Sequence, residues 1–419
     1  MKQMFFFAAI ICGLFFYTGC TTSHETNGLQ TRNGLPNFNH KIQEKDSLSI
    51  VFLGGSITNH QGYRVQICDW LKTQYKGIRF KAINSGIGGT GSDLGVFRTD
   101  RDVLRHHPDL VFIEFAVNDA KSDSLLICHS MEGIVRKIWA QNPYTDICFL
   151  YTLNETMLDD LKAGRKYRSV RYMERIAEYY DIPSVNFADD VMALMDKGEL
   201  IFKGDANKDY EDKIVFTNDG THPTYDGGHP IYTKTLSHAL LQMDKAQQKA
   251  HPLRAALYPG NYEKAKMIPI SNVSRSDGWK ILPKSDKAFT HFQGNPNEIQ
   301  PVWESSNPND SIEICFEGNR IGVFDLIGPS SGGISVEIDN NRPFYVRRFD
   351  KYCADRNRVN YCLFETLEYG KHVVVIRPDN RRFEKSEFYQ ENSRVIPESE
   401  YFDEFNTYIG SVLLVGDLL

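Results

Sequence analysis

The sequence predicts a two-domain protein, an α/β domain with a parallel sheet followed by a jelly-roll-like β-sandwich. Its 419 residues exceed what one hydrophobic core usually supports. Strand-like and helix-like segments alternate from residue 48 to about 245, which predicts a parallel sheet with helices on both faces. After Ala250, short strand-like runs separated by Gly, Pro, Asn and Asp are typical of a sandwich. We place the α/β domain at residues 46–250 and the sandwich at residues 265–419.

The elements follow from apolar periodicity. Strands of the first domain are predicted at residues 48–53, 79–84, 109–116, 145–150 and 182–187. The run 109–116 is almost continuously apolar, the pattern of a strand covered on both faces. Helical spacing of apolar residues predicts helices at 63–75, 94–104, 131–141, 166–180 and 225–243. Strands of the second domain are predicted at 311–316, 320–327, 332–338, 372–376 and 410–415.

The amino terminus is predicted to be a targeting segment. Lys2 precedes an apolar run, Met4 to Tyr17, that is too short to span a bilayer comfortably. Thr18-Gly19-Cys20 resembles the lipobox of bacterial lipoproteins, which implies an exported protein with lipid on Cys20, at the periplasmic face or the cell surface. A plain secretory signal remains the alternative. Thr, Asn and Gly are frequent between Thr21 and Phe38, so residues 21–45 are predicted to be a tether.

Charge and cysteine content limit which partners, metals and disulfides are expected. Lys and Arg number 48 against 54 Asp and Glu, a net charge of −6 without a long basic run, so nucleic acid is not an expected partner. No Cys-x-x-Cys or His-rich cluster predicts a metal. Cys68 and Cys148 lie in apolar periodic segments and are predicted to be buried thiols. Cys353 and Cys362 flank a polar loop and form the one candidate disulfide pair.

The stretch Ile50–Thr58 combines a buried strand with a glycine-rich turn. Its letters IVFLGGSIT place Ser56 directly after two glycines, at the carboxyl end of the predicted strand. Open α/β sheets bind their ligands at that edge. A serine in such a turn is common, and its partners decide whether it is a nucleophile.

Three later blocks supply those partners. With Gly54–Thr58 they are Asn84–Gly89 (NSGIGG), Ala116–Asp119 (AVND) and Asp219–Pro223 (DGTHP). Alone, an Asp-x-x-His pair more often caps a turn, and Asn118-Asp119 could cap a helix. Their order and spacing together resemble the SGNH hydrolases, the GDSL-type esterase superfamily, over residues 48 to about 245.

The resemblance implies a three-layer, flavodoxin-like α/β/α domain and a serine triad. It makes Ser56 the nucleophile and Asp219 and His222 its partners. The oxyanion donors would be the backbone N–H groups of Ser56 and Gly89 and the Asn118 amide. The chemistry agrees, because a neutral histidine can take the serine proton and an aspartate can orient its ring. No cofactor is needed. Gly55 and Ala116 depart from the pattern, where the family has an acidic residue and glycine.

A dinucleotide site is the main competing interpretation of one motif. Gly86–Gly91 fits G-x-G-x-x-G, and Glu114 follows roughly twenty residues later. However, the motif follows the second predicted strand, Glu114 lies within a strand, and Ser56 and His222 would be left without a role. A nicotinamide or flavin site is therefore not expected.

The substrate class is implied by resemblance to exported carbohydrate esterases with an attached β-domain. This resemblance implies that the substrate is an O-acetyl ester on a poly- or oligosaccharide. Loops after the predicted strands are polar, at residues 59–62, 119–123, 154–155 and 224–227, as suits a sugar and a short acyl group. A lipase or lysophospholipase acting on longer chains is one alternative. The other is a non-catalytic, lipid-anchored glycan-binding protein, which the intact set of site residues disfavours.

Overall fold

Two domains follow one another in the structure, a computed structural model that describes residues 28–205, 208–289, 292–353, 356–390 and 402–419. The predicted targeting segment with Cys20, and residues 21–27 of the predicted tether, lie outside these residues.

The first domain is a three-layer α/β/α unit around one main sheet. Its strands are β1 (Leu29–Gln30), β2 (Ser47–Gly54), β3 (Arg79–Gly86), β4 (Leu110–Glu114), β5 (Asp146–Tyr151), β6 (Ser184–Asn186), β7 (Leu200–Lys203) and β8 (Ile214–Thr217). The main sheet has the order β1-β6-β5-β4-β2-β3, in which only β1 is antiparallel to its neighbour. Strands β7 and β8 form a separate parallel pair.

Helices cover both faces of this sheet. They are α1 (Pro36–Glu44), α2 (Ser56–Asn59), α3 (Tyr63–Gln74), α4 (Ser92–Asp102), α5 (Ser124–Gln141), α6 (Leu158–Lys162), α7 (Arg168–Tyr180), α8 (Ala188–Asp196) and α9 (Gly228–Gln242). Alternation along β2 shows the layering: Ile50 and Phe52 pack with α1, α3 and α9, whereas Val51 and Leu53 pack with α4, α5 and α7. Among the described residues, no helix is both long enough and apolar enough to cross a membrane.

The second domain is a β-sandwich. Its strands are β9 (Ala265–Pro269), β10 (Ser274–Arg275), β11 (Lys280–Ile281), β12 (Phe292–Gln293), β13 (Trp303–Ser305), β14 (Ile312–Ile327), β15 (Gly333–Ile338), β16 (Phe344–Arg347), β17 (Asn357–Leu363), β18 (Gly370–Asp379) and β19 (Thr407–Leu418), with a short helix α10 (Glu387–Gln390). All pairings are antiparallel except β12 with β17. Its core is a separate cluster of apolar side chains, most of them from β14, β15, β18 and β19.

The tether prediction is wrong for residues 28–45. Strand β1 pairs with β6, and α1 buries Phe38 against the sheet. The Asp146 carboxylate accepts hydrogen bonds from the Phe38 backbone at 2.8 Å and the Asn37 amide at 3.1 Å. Polar composition concealed a helix whose first residue, Pro36, already has the φ angle that a helix needs.

The disulfide prediction is also wrong, because all six described cysteines are free. Cys353 lies in a small cluster with Ile327 and Phe349, whereas Cys362 contacts the sandwich core. Cys68 and Cys148 are buried thiols as predicted, and burial raises the pKa of Cys68 to about 11.

Candidate active site

The candidate nucleophile lies in a tight turn at the carboxyl end of β2, the strand next to the edge strand β3. Ser56 is the first residue of α2 and follows β2, which lies between β3 and β4. A side chain at the preceding position would collide with the site, since a Cβ on Gly55 would lie 2.1 Å from Asn118 Oδ1. The missing side chain at Gly55 therefore lets the Asn118 amide approach the serine turn.

The three predicted triad residues form a continuous hydrogen-bonded chain. His222 Nε2 lies 2.8 Å from Ser56 Oγ, and His222 Nδ1 lies 2.6 Å from Asp219 Oδ2. Both Asp219 and His222 follow β8, in a turn where Asp219 Oδ1 accepts the backbone N–H groups of Thr221 and His222, each at 2.8 Å. With Nδ1 donating to the carboxylate, Nε2 is free to accept the serine proton.

The environment keeps Asp219 ionised. Partial burial disfavours the charged carboxylate, but hydrogen bonds from the His222 ring and from backbone N–H groups outweigh it and lower the pKa of Asp219. An ionised carboxylate at this place can stabilise an imidazolium at His222.

Two of the sequence blocks that contain the predicted oxyanion donors approach the serine turn. Asn118 begins a short 3-10 helix, Asn118–Lys121, four residues after the end of β4, with its amide against Gly55. Gly88 is close to the candidate nucleophile, because a Cβ placed on Gly88 would lie 3.7 Å from Ser56 Cβ. The next residue, Gly89, has a φ of +74°, a conformation that favours glycine. The structure thus brings the four sequence blocks together at one edge of the sheet.

Glu114 is a site residue that sequence reasoning missed. The sequence associates Glu114 only with a dinucleotide-like motif, but in the structure it is 1% exposed beneath the serine turn. Its carboxylate accepts hydrogen bonds from Thr58 Oγ1 at 2.8 Å and Thr152 Oγ1 at 2.6 Å. Burial raises the pKa of Glu114, against the opposing effect of these hydrogen bonds. Glu114 therefore fixes α2, and with it Ser56, onto β4 and the segment that follows β5.

Arg98 is a second residue that the sequence did not reveal. Its fully buried guanidinium donates to the carbonyl oxygens of Ser85 at 2.6 Å and Gly54 at 3.0 Å, and to the Asp102 carboxylate at 3.0 Å. It ties together the ends of β2 and β3, where the serine turn and the Gly88-Gly89 segment begin. A helical arginine gives no signal of this role in the sequence, because its partners lie 13 and 44 residues away.

His60 is the third residue of the site that the sequence did not reveal. Its ring lies 4.8 Å from the ring of His222, centroid to centroid, at an interplanar angle of 35°. Burial and the neighbouring His222 lower the pKa of His60, with a smaller opposing effect from Asp219. A neutral His60 covers one face of the candidate base without adding a charge to it.

The rim of the site is polar, as predicted from the loop sequences, except that one predicted rim residue is buried. His60, Gln61, Glu155 and Asp226 are exposed around the triad loops. The Glu155 backbone N–H donates to the Gly220 carbonyl at 2.7 Å, so the segment after β5 borders the Asp219 turn. Asp119, predicted to be part of the rim, is instead fully buried. Its carboxylate faces inward because it accepts the backbone N–H of Ser92 at 3.0 Å.

Within the described part of the chain, no group of three or more His, Cys, Asp or Glu side chains could hold a metal ion. The Gly86–Gly91 motif lies at the serine site, where Gly88 is beside Ser56.

Comparison with known families identifies the first domain. Residues 52–228 match the model of the GDSL-like lipase/acylhydrolase family. This domain belongs to that family. The GDSL-like domain contains all four blocks that the sequence singled out, and the protein is a carboxylic ester hydrolase. No curated protein matches the chain significantly.

Solved structures share the two-domain arrangement. A two-domain esterase active on acetylated mannans (CEX), co-crystallised with mannopentaose, aligns with a TM-score of 0.69 at 22% identity, covering 93% of this chain and 98% of that chain. Another structure of such an esterase aligns with a TM-score of 0.66 at 21% identity, covering 93% and 99%. At this sequence identity the similarity shows a common fold, which includes both the GDSL-like domain and the sandwich.

Proposed function

We propose that the protein removes acetyl groups from a poly- or oligosaccharide, with Ser56 as nucleophile, His222 as general base and Asp219 as the group that orients His222. The observation that carries this proposal is the chain from Ser56 Oγ through the imidazole to the Asp219 carboxylate, at 2.8 and 2.6 Å. Both distances lie within the reach that proton transfer requires.

The reaction has two halves. Ser56 Oγ attacks the ester carbonyl carbon while His222 Nε2 takes its proton, and a tetrahedral oxyanion forms. When this intermediate collapses, the bond to the sugar oxygen breaks, and that oxygen leaves with the proton from His222. Water then attacks the acetyl-serine and gives a proton to His222. Acetate departs and Ser56 recovers its proton.

The oxyanion would be held by the N–H groups of Ser56 and Gly89 and by the Asn118 amide. Removing one donor of this kind typically lowers kcat by about 10²–10³-fold. The contribution of these donors to kcat depends on their being in place before the reaction begins. The close contact of the Asn118 amide with Gly55 supports such preorganisation.

The acetyl and sugar preferences are supported by the rim. Exposed polar side chains such as Gln61 and Asp226 can hydrogen-bond sugar hydroxyls, and Tyr225, 58% exposed three residues after His222, offers an aromatic surface with a polar end. Burying a long acyl chain would instead need an apolar cleft, since each methylene contributes only about 0.8 kcal/mol. The activity of the similar two-domain esterases on acetylated mannans supports an acetylated glycan as substrate.

An acyl series and a glycan panel test this proposal. We expect kcat/KM on nitrophenyl esters to fall from acetate to octanoate, and we expect acetate release from at least one acetylated glycan, acetylated mannan among them. Ser56→Ala should abolish both activities. A kcat/KM that rises with chain length, without acetate release, would contradict the carbohydrate assignment and favour a lipase.

A further inference from the structure

The segment that carries Gly89 is held at its ends. A Cβ on Gly89 would meet no atom within 4 Å, and within the segment Thr90 Oγ1 donates to the Ile87 carbonyl at 2.8 Å. At one end, the Ile87 N–H donates to the Gly54 carbonyl at 3.0 Å. At the other, α4 begins at Ser92, three residues after Gly89. The placement of this candidate oxyanion donor therefore depends on what holds the start of α4.

Two carboxylates surround the start of α4. Asp119 Oδ1 accepts the Ser92 N–H at 3.0 Å, and a Cβ on Gly91 would lie 2.2 Å from Asp119 Oδ1 and 2.9 Å from Asp93 Oδ1. Since Asp119 directly follows Asn118, the same contact also ties the start of α4 to the second candidate donor. One small cluster thus connects Gly89 and Asn118.

The second domain completes this cluster with a tyrosine. Tyr361, on β17, donates its hydroxyl to Asp93 Oδ1 at 2.7 Å. Burial, and after it the Asp93 carboxylate, raise the pKa of Tyr361. The ring packs against the apolar cluster that extends across both domains.

The charges make this hydrogen bond important. Burial, together with the charge of Asp93, raises the pKa of Asp119 to about 8. Burial also raises the pKa of Asp93, and the Tyr361 hydroxyl is foremost among the groups that oppose this shift.

We propose that Tyr361 is a positioning residue for the oxyanion donors, by which the sandwich domain holds the start of α4 and thereby sets the place of Gly89. This inference rests on the proposed function. It predicts that the hydroxyl of Tyr361 contributes to kcat although Tyr361 lies in the other domain and need not contact the substrate.

Tyr361→Phe removes only the hydroxyl, and Tyr408→Phe is the matched control. Tyr408 packs in the same apolar cluster, but its hydroxyl bonds groups of the second domain, with Ser330 Oγ at 2.7 Å and Asn406 Nδ2 at 3.0 Å. We expect Tyr361→Phe to lower kcat on nitrophenyl acetate about tenfold with KM within about twofold, and Tyr408→Phe to keep kcat within about twofold. Asp93→Asn, which keeps an oxygen acceptor for Tyr361, should lose less activity than Asp93→Ala.

A second readout does not need a substrate. The rate at which a fluorophosphonate labels Ser56 also depends on the oxyanion donors, and it should fall in Tyr361→Phe by about the same factor as kcat. Equal losses of kcat in the two tyrosine variants, or unchanged rates in Tyr361→Phe, would overturn the inference. If the wild type hydrolyses no ester, the proposed function fails and the labelling rates decide about Tyr361. A wild type that is not labelled at Ser56 would sink both.

Discussion

His229 is a buried histidine next to the candidate site, and its surroundings require it to be neutral. Its ring is 2% exposed, and Nδ1 accepts the Tyr63 backbone N–H at 3.1 Å, which a protonated Nδ1 could not do. Nε2 has no hydrogen-bond partner among the described residues. Burial, then the nearby rings of His60 and His222, lower the pKa of His229 to about 4.

This pKa predicts a pH-dependent stability. Between pH 6.5 and about 4 the unfolded chain binds a proton at His229 that the folded chain does not. The free energy of unfolding should therefore decrease on acidification through this range, by up to about 3 kcal/mol from this group. Urea unfolding at pH 7 and pH 4.5 measures the decrease, which His229→Asn should reduce. His238→Asn, exposed on the same helix, is the control, and an equal decrease in His229→Asn and wild type would contradict the prediction.

The residues of the candidate triad could be selected from the sequence, whereas the residues that hold them in place could not. Ser56 and His222 stand in short blocks whose spacing is informative by itself. Glu114 and Arg98 act through buried contacts to residues far along the chain, and His60 acts through a ring contact across 162 positions. Such pairings depend on the folded sheet and leave no local pattern.

At the scale of elements, the serine turn depends on Gly55. Gly55→Ala would place a Cβ 2.1 Å from the Asn118 Oδ1 atom, so the amide must move out of its place beside Ser56. We expect kcat on nitrophenyl acetate to fall by about 10²-fold or more, as for the loss of an oxyanion donor, with the circular dichroism spectrum retained. Gly370→Ala is the control, since its nearest neighbour would be 3.8 Å away. A Gly55→Ala enzyme with normal kcat would show that the Asn118 amide is not a donor.

The bounds of a strand could be predicted where burial produces a strong apolar pattern. They could not be predicted where pairing with a distant strand decides how far the strand extends. Strand β2, predicted at 48–53, extends over Ser47–Gly54 because both of its faces are covered. The runs 311–316 and 320–327 were predicted as two strands around the turn-like Gly318-Asn319. They form the single strand β14, because pairing with β19 continues past a register shift between Gly318 and Arg320.

At the scale of the molecule, the two domains form one packed unit. An apolar cluster includes Val96 of α4 and Phe324 of β14, and Lys137 of α5 donates to the Ala265 carbonyl at 2.6 Å. The sequence predicted both domains but not this contact, since neither hydrophobic pattern indicates which surface of the other domain it covers. The Tyr361–Asp93 hydrogen bond belongs to the same interface.

Anchoring of the whole molecule is a separate proposal that rests on the sequence. We propose that lipid on Cys20 holds the exported protein at a membrane, and that Cys20→Ala releases it into the soluble fraction, as cell fractionation would measure. An active Cys20→Ala protein that remains in the membrane fraction would contradict this proposal. Esterase activity serves as the control for folding in both fractions.

The central claim is that Ser56 is the nucleophile of an acyl transfer, and covalent labelling tests it most directly. The full-length protein is treated with a fluorophosphonate, digested, and analysed by mass spectrometry, in parallel with nitrophenyl acetate hydrolysis. The account predicts one adduct per molecule, on the peptide containing Ser56, with parallel loss of hydrolysis. Ser56→Ala should show neither adduct nor hydrolysis while its Tm stays close to that of the wild type. An adduct on another residue, or hydrolysis that persists in Ser56→Ala, would contradict the account.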